Sequence, residues 1–291
     1  MVELRNGTIR IDGTPTLLLG GEIHYFRLPR DTWQDRIDRL REAGGNCVAS
    51  YVPWLCHQPE PGPIDLAGHT RPELDLWGFM DLCRDNGLHF FLRPGPFIMA
   101  EMKNEGIPYW VYERHPEIVP SGWDGTPCPT RTVDLLAPGF LSEARAWYRA
   151  VMAGAAPRSR AAGGNLVGIQ LDNEIGMLSW VSNSPDLTDG MLRDFAGFLQ
   201  ARYGPAELAR RHPALADGEA AFRRSILSPE DARAVPSWHD LAAFHRERYA
   251  RYVATLRSWA LEDGLAGVPF LVNVHGTGGG RATSFPIGIS Q

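Results

Sequence analysis

The chain has 291 residues, 44% of them apolar, and a formal charge of -5 at pH 7. Such a composition buries a sizeable core, which excludes a disordered chain and leaves one large domain or two small ones. The charges are mixed along the chain, with a single lysine (Lys103) against many arginines, so a nucleic-acid partner is excluded for want of a basic footprint.

The amino terminus, from Met1 to Gly7, lacks the charged start and apolar centre of an export signal. No later run reaches the roughly 18 apolar residues of a membrane span, so no membrane partner and a cytoplasmic location are expected. Residues 3–16 alternate weakly and turn at Asp12-Gly13, which predicts a small hairpin able to plug the bottom of a domain. Residues 17–25 read as a first buried strand. Asp31 or Thr32 then caps a helix whose inner face carries Trp33, Ile37 and Leu40 and which stops at Gly44-Gly45.

Residues 47–52 form a second predicted strand, with Tyr51, Trp54 and His57 at its exit. A helix faced by Leu76, Phe79 or Met80, and Cys83 ends at Asn86-Gly87, and residues 88–92 make a third strand running into Arg93-Pro94-Gly95-Pro96. Residues 97–136 are a long loop with a short helix near Trp110. After a helix over 141–154, residues 164–176 hold an apolar strand between glycine breakers that delivers Asn173-Glu174 at its carboxyl end. Met191, Phe195, Phe198 and Arg202 share a helical face. Residues 205–237 read as a helical excursion on the rim. Leu241, Phe244, Arg248, Tyr252, Leu256 and Trp259 mark a long helix, and residues 268–274 a fifth strand.

Buried strands alternating with amphipathic helices predict a parallel α/β fold, either a barrel or an open doubly wound sheet. Five strands cannot close an eight-stranded barrel. Five strand-helix units over 1–291 therefore read as part of a larger fold, with later strands and any accessory domains absent, and the isolated chain is expected to associate through its open edges.

Glycoside hydrolysis needs two carboxyl groups about one anomeric carbon, one of them kept protonated. Glu174, at the end of a buried strand and near aromatic residues, suits the proton donor, and Asn173 suits a sugar hydroxyl. Four stretches sharpen this reading. Gly21-Glu22-Ile23-His24-Tyr25-Phe26-Arg27-Leu28-Pro29-Arg30, Tyr51-Val52-Pro53-Trp54, Leu92-Arg93-Pro94-Gly95-Pro96-Phe97-Ile98-Met99-Ala100-Glu101 and Gln170-Leu171-Asp172-Asn173-Glu174-Ile175-Gly176 occur in that order, each at a strand exit.

In these stretches, from about Leu17 to Gly176, the chain resembles the β-galactosidases of glycoside hydrolase family 35. The resemblance implies a retaining (β/α)8 TIM barrel enzyme without a cofactor that removes terminal non-reducing β-D-galactose by double displacement. Glu174 would be the acid/base and Asn173 its neighbour on the sugar. Glu101, the backbone around Ile98 and Ala100, and the Tyr51 phenol would hold sugar hydroxyls. The nucleophile would belong to a seventh strand, beyond Gln291. Met102, Ile175 and Leu55 stand where the family usually has Trp, Tyr and Asn, which leaves another β-glycoside as an alternative substrate. A non-catalytic carbohydrate-binding fragment is a second alternative, motivated by the missing second carboxylate.

Other constellations have blander readings. Glu22 is expected to pair with Arg27 or Arg93, and Glu60 and Glu105 to be solvated charges. The four cysteines, Cys47, Cys56, Cys83 and Cys128, show no C-x-x-C and read as buried thiols, with a structural disulfide or zinc site as the alternative. His24, Cys56 and His57 lack a recognised metal spacing, so no metal is expected. The glycine-rich run from His275 to Arg281 has neither a P-loop ending nor a nucleophile elbow.

Overall fold

The computed structural model describes residues 1–122, 124–128, 132–176, 187–227 and 236–273. The chain divides into two compact units. The first gathers Met1–Trp110, Glu143–Asn173 and Val253–Asn273; the second is built from the described parts of Val111–Ser142 and Glu174–Tyr252.

The first unit opens with an antiparallel meander of β1 (Val2–Arg5), β2 (Thr8–Ile11) and β3 (Thr14–Pro15), where one hairpin is predicted. The additional turn is Asn6-Gly7, where Arg5 pairs with Thr8 and both turn residues take positive φ, 50° and 72°. Asn-Gly supplies the two left-handed positions that a two-residue hairpin needs, so the signal was in the sequence. Val2 and Ile11 pack with Cys47 and Val167, at the amino-terminal ends of two later strands.

A parallel sheet follows, its five strands adjacent in chain order: β4 (Gly20–Glu22), β5 (Cys47–Tyr51), β6 (His89–Arg93), β7 (Leu166–Gln170) and β8 (Phe270–Leu271). Between them run α1 (Trp33–Glu42), α2 (Trp54–His57), α3 (Leu76–Asp85), α4 (Tyr109–Arg114) and α5 (Pro138–Ala155). Asp75 caps α3 by accepting from the Gly78 amide at 2.8 Å, and α1 ends where Gly44 takes φ 85°.

Strand β4 is shorter than the sequence predicts, and Leu17 and Leu19 are 75% and 51% exposed. The physical reason is the Asn46 side chain. Its Oδ1 accepts from the Leu19 amide and its Nδ2 donates to the Leu17 carbonyl, both at 2.8 Å, so these backbone groups are satisfied without a ladder. Tyr25 leaves the strand for a short 3-10 turn, Tyr25–Arg27. The fifth strand is likewise shorter than expected at its start, and Val274 lies outside the described residues.

Aromatic side chains fill the space between sheet and helices. Tyr25, Trp33, Phe79 and Phe90 form a chain of ring contacts, and Trp54 stacks on Trp147 at 5.9 Å. Their polar handles are satisfied, as buried indole and phenol groups require. The Trp147 indole donates to the Pro94 carbonyl at 2.8 Å and the Tyr148 hydroxyl to the Gly95 carbonyl at 2.7 Å. All four cysteines are free thiols; Cys47 and Cys83 are buried as expected, whereas Cys56 and Cys128 are only half-buried.

In the second unit, α6 (Asp189–Arg202) is capped by Thr188 and is followed by α7 (Pro205–Arg211) and α8 (Glu219–Ile226). The long helix α9 spans Pro236–Glu262. Met191, Phe195 and Leu199 repeat every four residues on α6 and meet Phe222, Leu241 and Phe244 in one core. Phe198 is only partly buried against that core, and Arg202 is exposed, its guanidinium 5.6 Å from the Phe198 ring centroid.

Two buried imidazoles give the fold a defined acid sensitivity. His57 holds the Asp65 carbonyl through Nδ1 at 2.5 Å, so Nδ1 carries the proton and Nε2 accepts from the Tyr25 hydroxyl at 2.7 Å. Burial pushes His57 down to about 4 and His245, in the other unit, down to about 3. Unfolded histidine titrates near 6.5, so between about pH 6.5 and 4 the unfolded chain binds more protons and stability falls as pH falls. Each imidazole should remove roughly 2 kcal/mol between pH 7.5 and pH 5. Urea denaturation at the two pH values should show this loss, and His57→Asn, which cannot titrate, should lose its share of the slope; an unchanged slope in that variant would refute the assignment.

Candidate active site

The polar residues of the parallel sheet gather at one end, because parallel strands place their carboxyl termini side by side. Glu22 closes β4, Tyr51 closes β5, Arg93 closes β6 and Gln170 closes β7, while Asn273 lies two residues beyond β8. Arg93 binds them together. Its Nη1 donates to Glu22 Oε1, and its Nη2 to the Tyr51 hydroxyl and, at 3.0 Å, to Asn173 Oδ1. The guanidinium also lies 3.7 Å from the Tyr51 ring centroid. Of the two arginines expected to pair with Glu22, the fold selects Arg93.

Asn173 is buried, and its amide orientation is fixed by partners that have only one role. Arg93 can only donate, so Oδ1 faces it; the Ile98 carbonyl can only accept, so Nδ2 faces it, at 3.1 Å. Oδ1 accepts two further bonds, from Gln170 Nε2 and Asn273 Nδ2, each at 2.9 Å. Three donors saturate that oxygen. What Asn173 retains is donor capacity on Nδ2.

His24 sits beside this cluster, with Nε2 3.3 Å from Glu22 Oε2 and its ring 5.3 Å from that of Tyr51. Burial lowers its pKa, against the opposing pull of Glu22, which keeps the ring neutral at pH 7. Among the described residues its buried Nδ1 has no hydrogen-bond partner.

The loop after β6 carries the other predicted sugar contacts. Ile98 is fully buried and uses both backbone groups within the protein, its amide donating to the Glu105 carbonyl at 2.9 Å. The Ala100 carbonyl accepts from Arg27, and Glu101 is exposed. Glu105, expected as a solvated charge, is half-buried, and burial together with the nearby Glu101 charge raises its carboxyl.

Glu174 follows Asn173 in the chain, half-buried and with φ 47°, and falls in the second compact unit. Asp172, with φ 62°, fixes the turn by accepting from the Asn173 amide at 2.6 Å. Among the described residues no group of three His, Cys, Asp or Glu side chains is placed to hold a metal ion. His275 to Arg281 lie outside the described residues.

Tyr51, Ile98, Ala100, Glu101, Asn173 and Glu174 are the site residues expected from the sequence, whereas Arg93, Gln170, Asn273 and His24 join the cluster without such an expectation. Three of these had the same signal as Asn173: a polar residue at or just beyond the exit of an apolar strand.

Five parallel strands in chain order, with their polar residues at the carboxyl edge, define an α/β barrel protein whose chemistry belongs at that edge. Residues 8–194 match the family model described as Glycosyl hydrolases family 35, and the chain belongs to that family. An exo-β-D-glucosaminidase of Thermococcus kodakarensis is 31% identical over 87% of this chain and 33% of its own length. A β-1,2-glucosyltransferase of Ignavibacterium album is 27% identical over 96% of this chain and 39% of its own, and a mouse β-galactosidase is 33% identical over 57% and 23%. The crystal structure of a β-galactosidase from the psychrophilic Marinomonas ef1 superposes with a TM-score of 0.65 over 89% of this chain and 37% of that one, at 17% identity. That likeness establishes the fold: the five-stranded sheet is part of a (β/α)8 barrel. The chain spans about a third of the length of the curated relatives it matches.

Proposed function

We propose that the protein is a retaining glycoside hydrolase that removes terminal non-reducing β-D-galactose. Glu174 is the acid/base, and the nucleophile lies in sequence beyond Gln291. Glu174 protonates the leaving oxygen as the nucleophile takes the anomeric carbon into a covalent ester. Its carboxylate then removes a proton from the water that releases the sugar. Tyr51, Glu101, Asn173 and the backbone around Ile98 and Ala100 form the sugar subsite in this reading. The substrate is a β-galactoside or oligosaccharide, and no cofactor takes part.

The observation that carries the choice of a neutral sugar is the state of Asn173. Its oxygen is saturated and only donor capacity remains, so a sugar group facing it must accept a hydrogen bond. A hydroxyl accepts; an ammonium does not. This supports galactose over the charged amino sugar named for the Thermococcus relative.

A panel of aryl β-glycosides with the complete protein tests the reading. Galactoside turnover at least tenfold above glucosaminide is expected, from one unmatched polar contact of about 1.4 kcal/mol. Preferential glucosaminide turnover would overturn it. A second reading changes the sugar to glucose and the reaction to transfer, favoured by the glucosyltransferase relative and by Met102, Leu55 and Ile175; faster glucoside turnover with disaccharide products would identify it. Galactose binding without turnover of any glycoside would favour a carbohydrate-binding role.

A further inference from the structure

The loop after β6 takes a conformation that side chains with a Cβ disfavour. Met99, Ala100 and Glu101 have φ of 54°, 52° and 50°, three successive non-glycine residues in the left-handed region. Asn104 and Glu105 repeat it at 50° and 54°. Such a segment persists only where its surroundings hold it.

The base of the loop is well held. Ile98 is buried, and a Cβ on Gly95 or Gly106 would come within 2.8 or 2.6 Å of its side chain, so the backbone closes tightly around it. The Glu105 amide donates to the Met102 carbonyl at 3.2 Å, and the Met102 amide to the Met99 carbonyl at 2.9 Å. The crest is more open. Met99 and Ala100 are half-buried and Glu101 is exposed. Among the described residues, the only side chain that hydrogen-bonds the crest is Arg27, whose Nη2 donates to the Ala100 carbonyl.

Arg27 is itself anchored. It ends the 3-10 turn after β4, its amide donates to the His24 carbonyl at 3.0 Å, and its guanidinium lies 5.4 Å from the Phe26 ring centroid. It thus ties the exit of one strand to the loop of another, 73 residues away in sequence.

We propose that Arg27 is a positioning residue that straps the crest in its left-handed form and so presents Glu101 to the sugar. The inference rests on the glycoside hydrolase reading for its kinetic consequence. Because the strap acts on a sugar contact and not on the scissile bond, its loss should raise KM more than it lowers kcat.

The test uses Arg27→Ala, Arg27→Gln and Arg27→Lys in the complete protein. In Arg27→Ala, hydrogen exchange at the Met102 and Glu105 amides and KM for an aryl β-galactoside should each rise about tenfold, the scale of one charge-assisted hydrogen bond, with kcat within about twofold. Arg27→Lys, which keeps a cationic donor, should recover most of both. If Arg27→Ala fails to fold, Arg27→Gln supplies the same comparison with a shorter donor. Unchanged exchange at those amides would overturn the strap, and so would a fall in kcat at constant KM. If the wild-type protein hydrolyses no glycoside, the functional reading fails, while the exchange data still decide whether Arg27 holds the loop.

Discussion

Replacing Glu174 by alanine in the complete protein should slow hydrolysis of β-galactosides with poor leaving groups by about 10²–10⁴-fold, the usual worth of a general acid. Alkyl aglycones depart as alkoxides unless they are protonated, so they carry the whole penalty. A dinitrophenolate departs without a proton, so formation of the covalent intermediate from that substrate should fall far less. The diagnostic is a plot of log kcat/KM against leaving-group pKa, shallow for the wild type and steep for the variant. Equal losses across the series would remove Glu174 from the acid role while leaving family membership untouched.

The second large effect is on stability and involves residues remote in sequence. Asp134 is buried in the second unit, where its Oδ1 accepts from Arg248 Nη2 and, at 3.1 Å, from the Leu136 amide. Its Oδ2 accepts from the Thr188 hydroxyl, which in turn caps α6 by accepting from the Met191 amide at 2.9 Å. Asp134→Ala therefore removes a cap support and leaves a buried guanidinium with Asp194, at 3.3 Å, as its one carboxylate partner among the described residues. Losing one member of a buried ion pair costs about 3–5 kcal/mol, and the Asp194 contact places the expected loss near the lower end, about 3 kcal/mol. The double variant Asp134→Ala/Arg248→Met should be more stable than Asp134→Ala alone, because the uncompensated charge is gone. Denaturant titration of the three proteins decides this; additive losses would mean that the pair is not coupled.

Much of this protein was legible in its sequence because the signals were local or periodic. The glycine stops at Gly44 and Gly87 and the shared face of Met191 and Phe195 are properties of short stretches, and the structure keeps them, whereas Thr32 at the start of α1 makes no capping bond with its side chain. The same locality exposed the order of strands and helices, and with it the strand exits where Tyr51 and Asn173 stand. The limits of this reading were also local. Nothing in residues 17–25 signals that Asn46 satisfies the backbone of Leu17 and Leu19, so an apolar run looked like a longer strand than it is.

The sequence by itself determined that apolar segments with turns between them would fold as a parallel α/β sheet, and that Asn173-Glu174 would follow a strand. Periodicity and breakers act within a few residues, and they suffice for that. Only the tertiary structure decided that Arg93 would bind Glu22, Tyr51 and Asn173 from separations of 71, 42 and 80 residues. It also decided that Arg27 would take the Ala100 carbonyl and Arg248 the Asp134 carboxylate, 114 residues apart. A guanidinium carries the same five donors wherever it occurs, and which acceptors it meets is set by the packing of strands and helices that bring distant residues within about 3 Å.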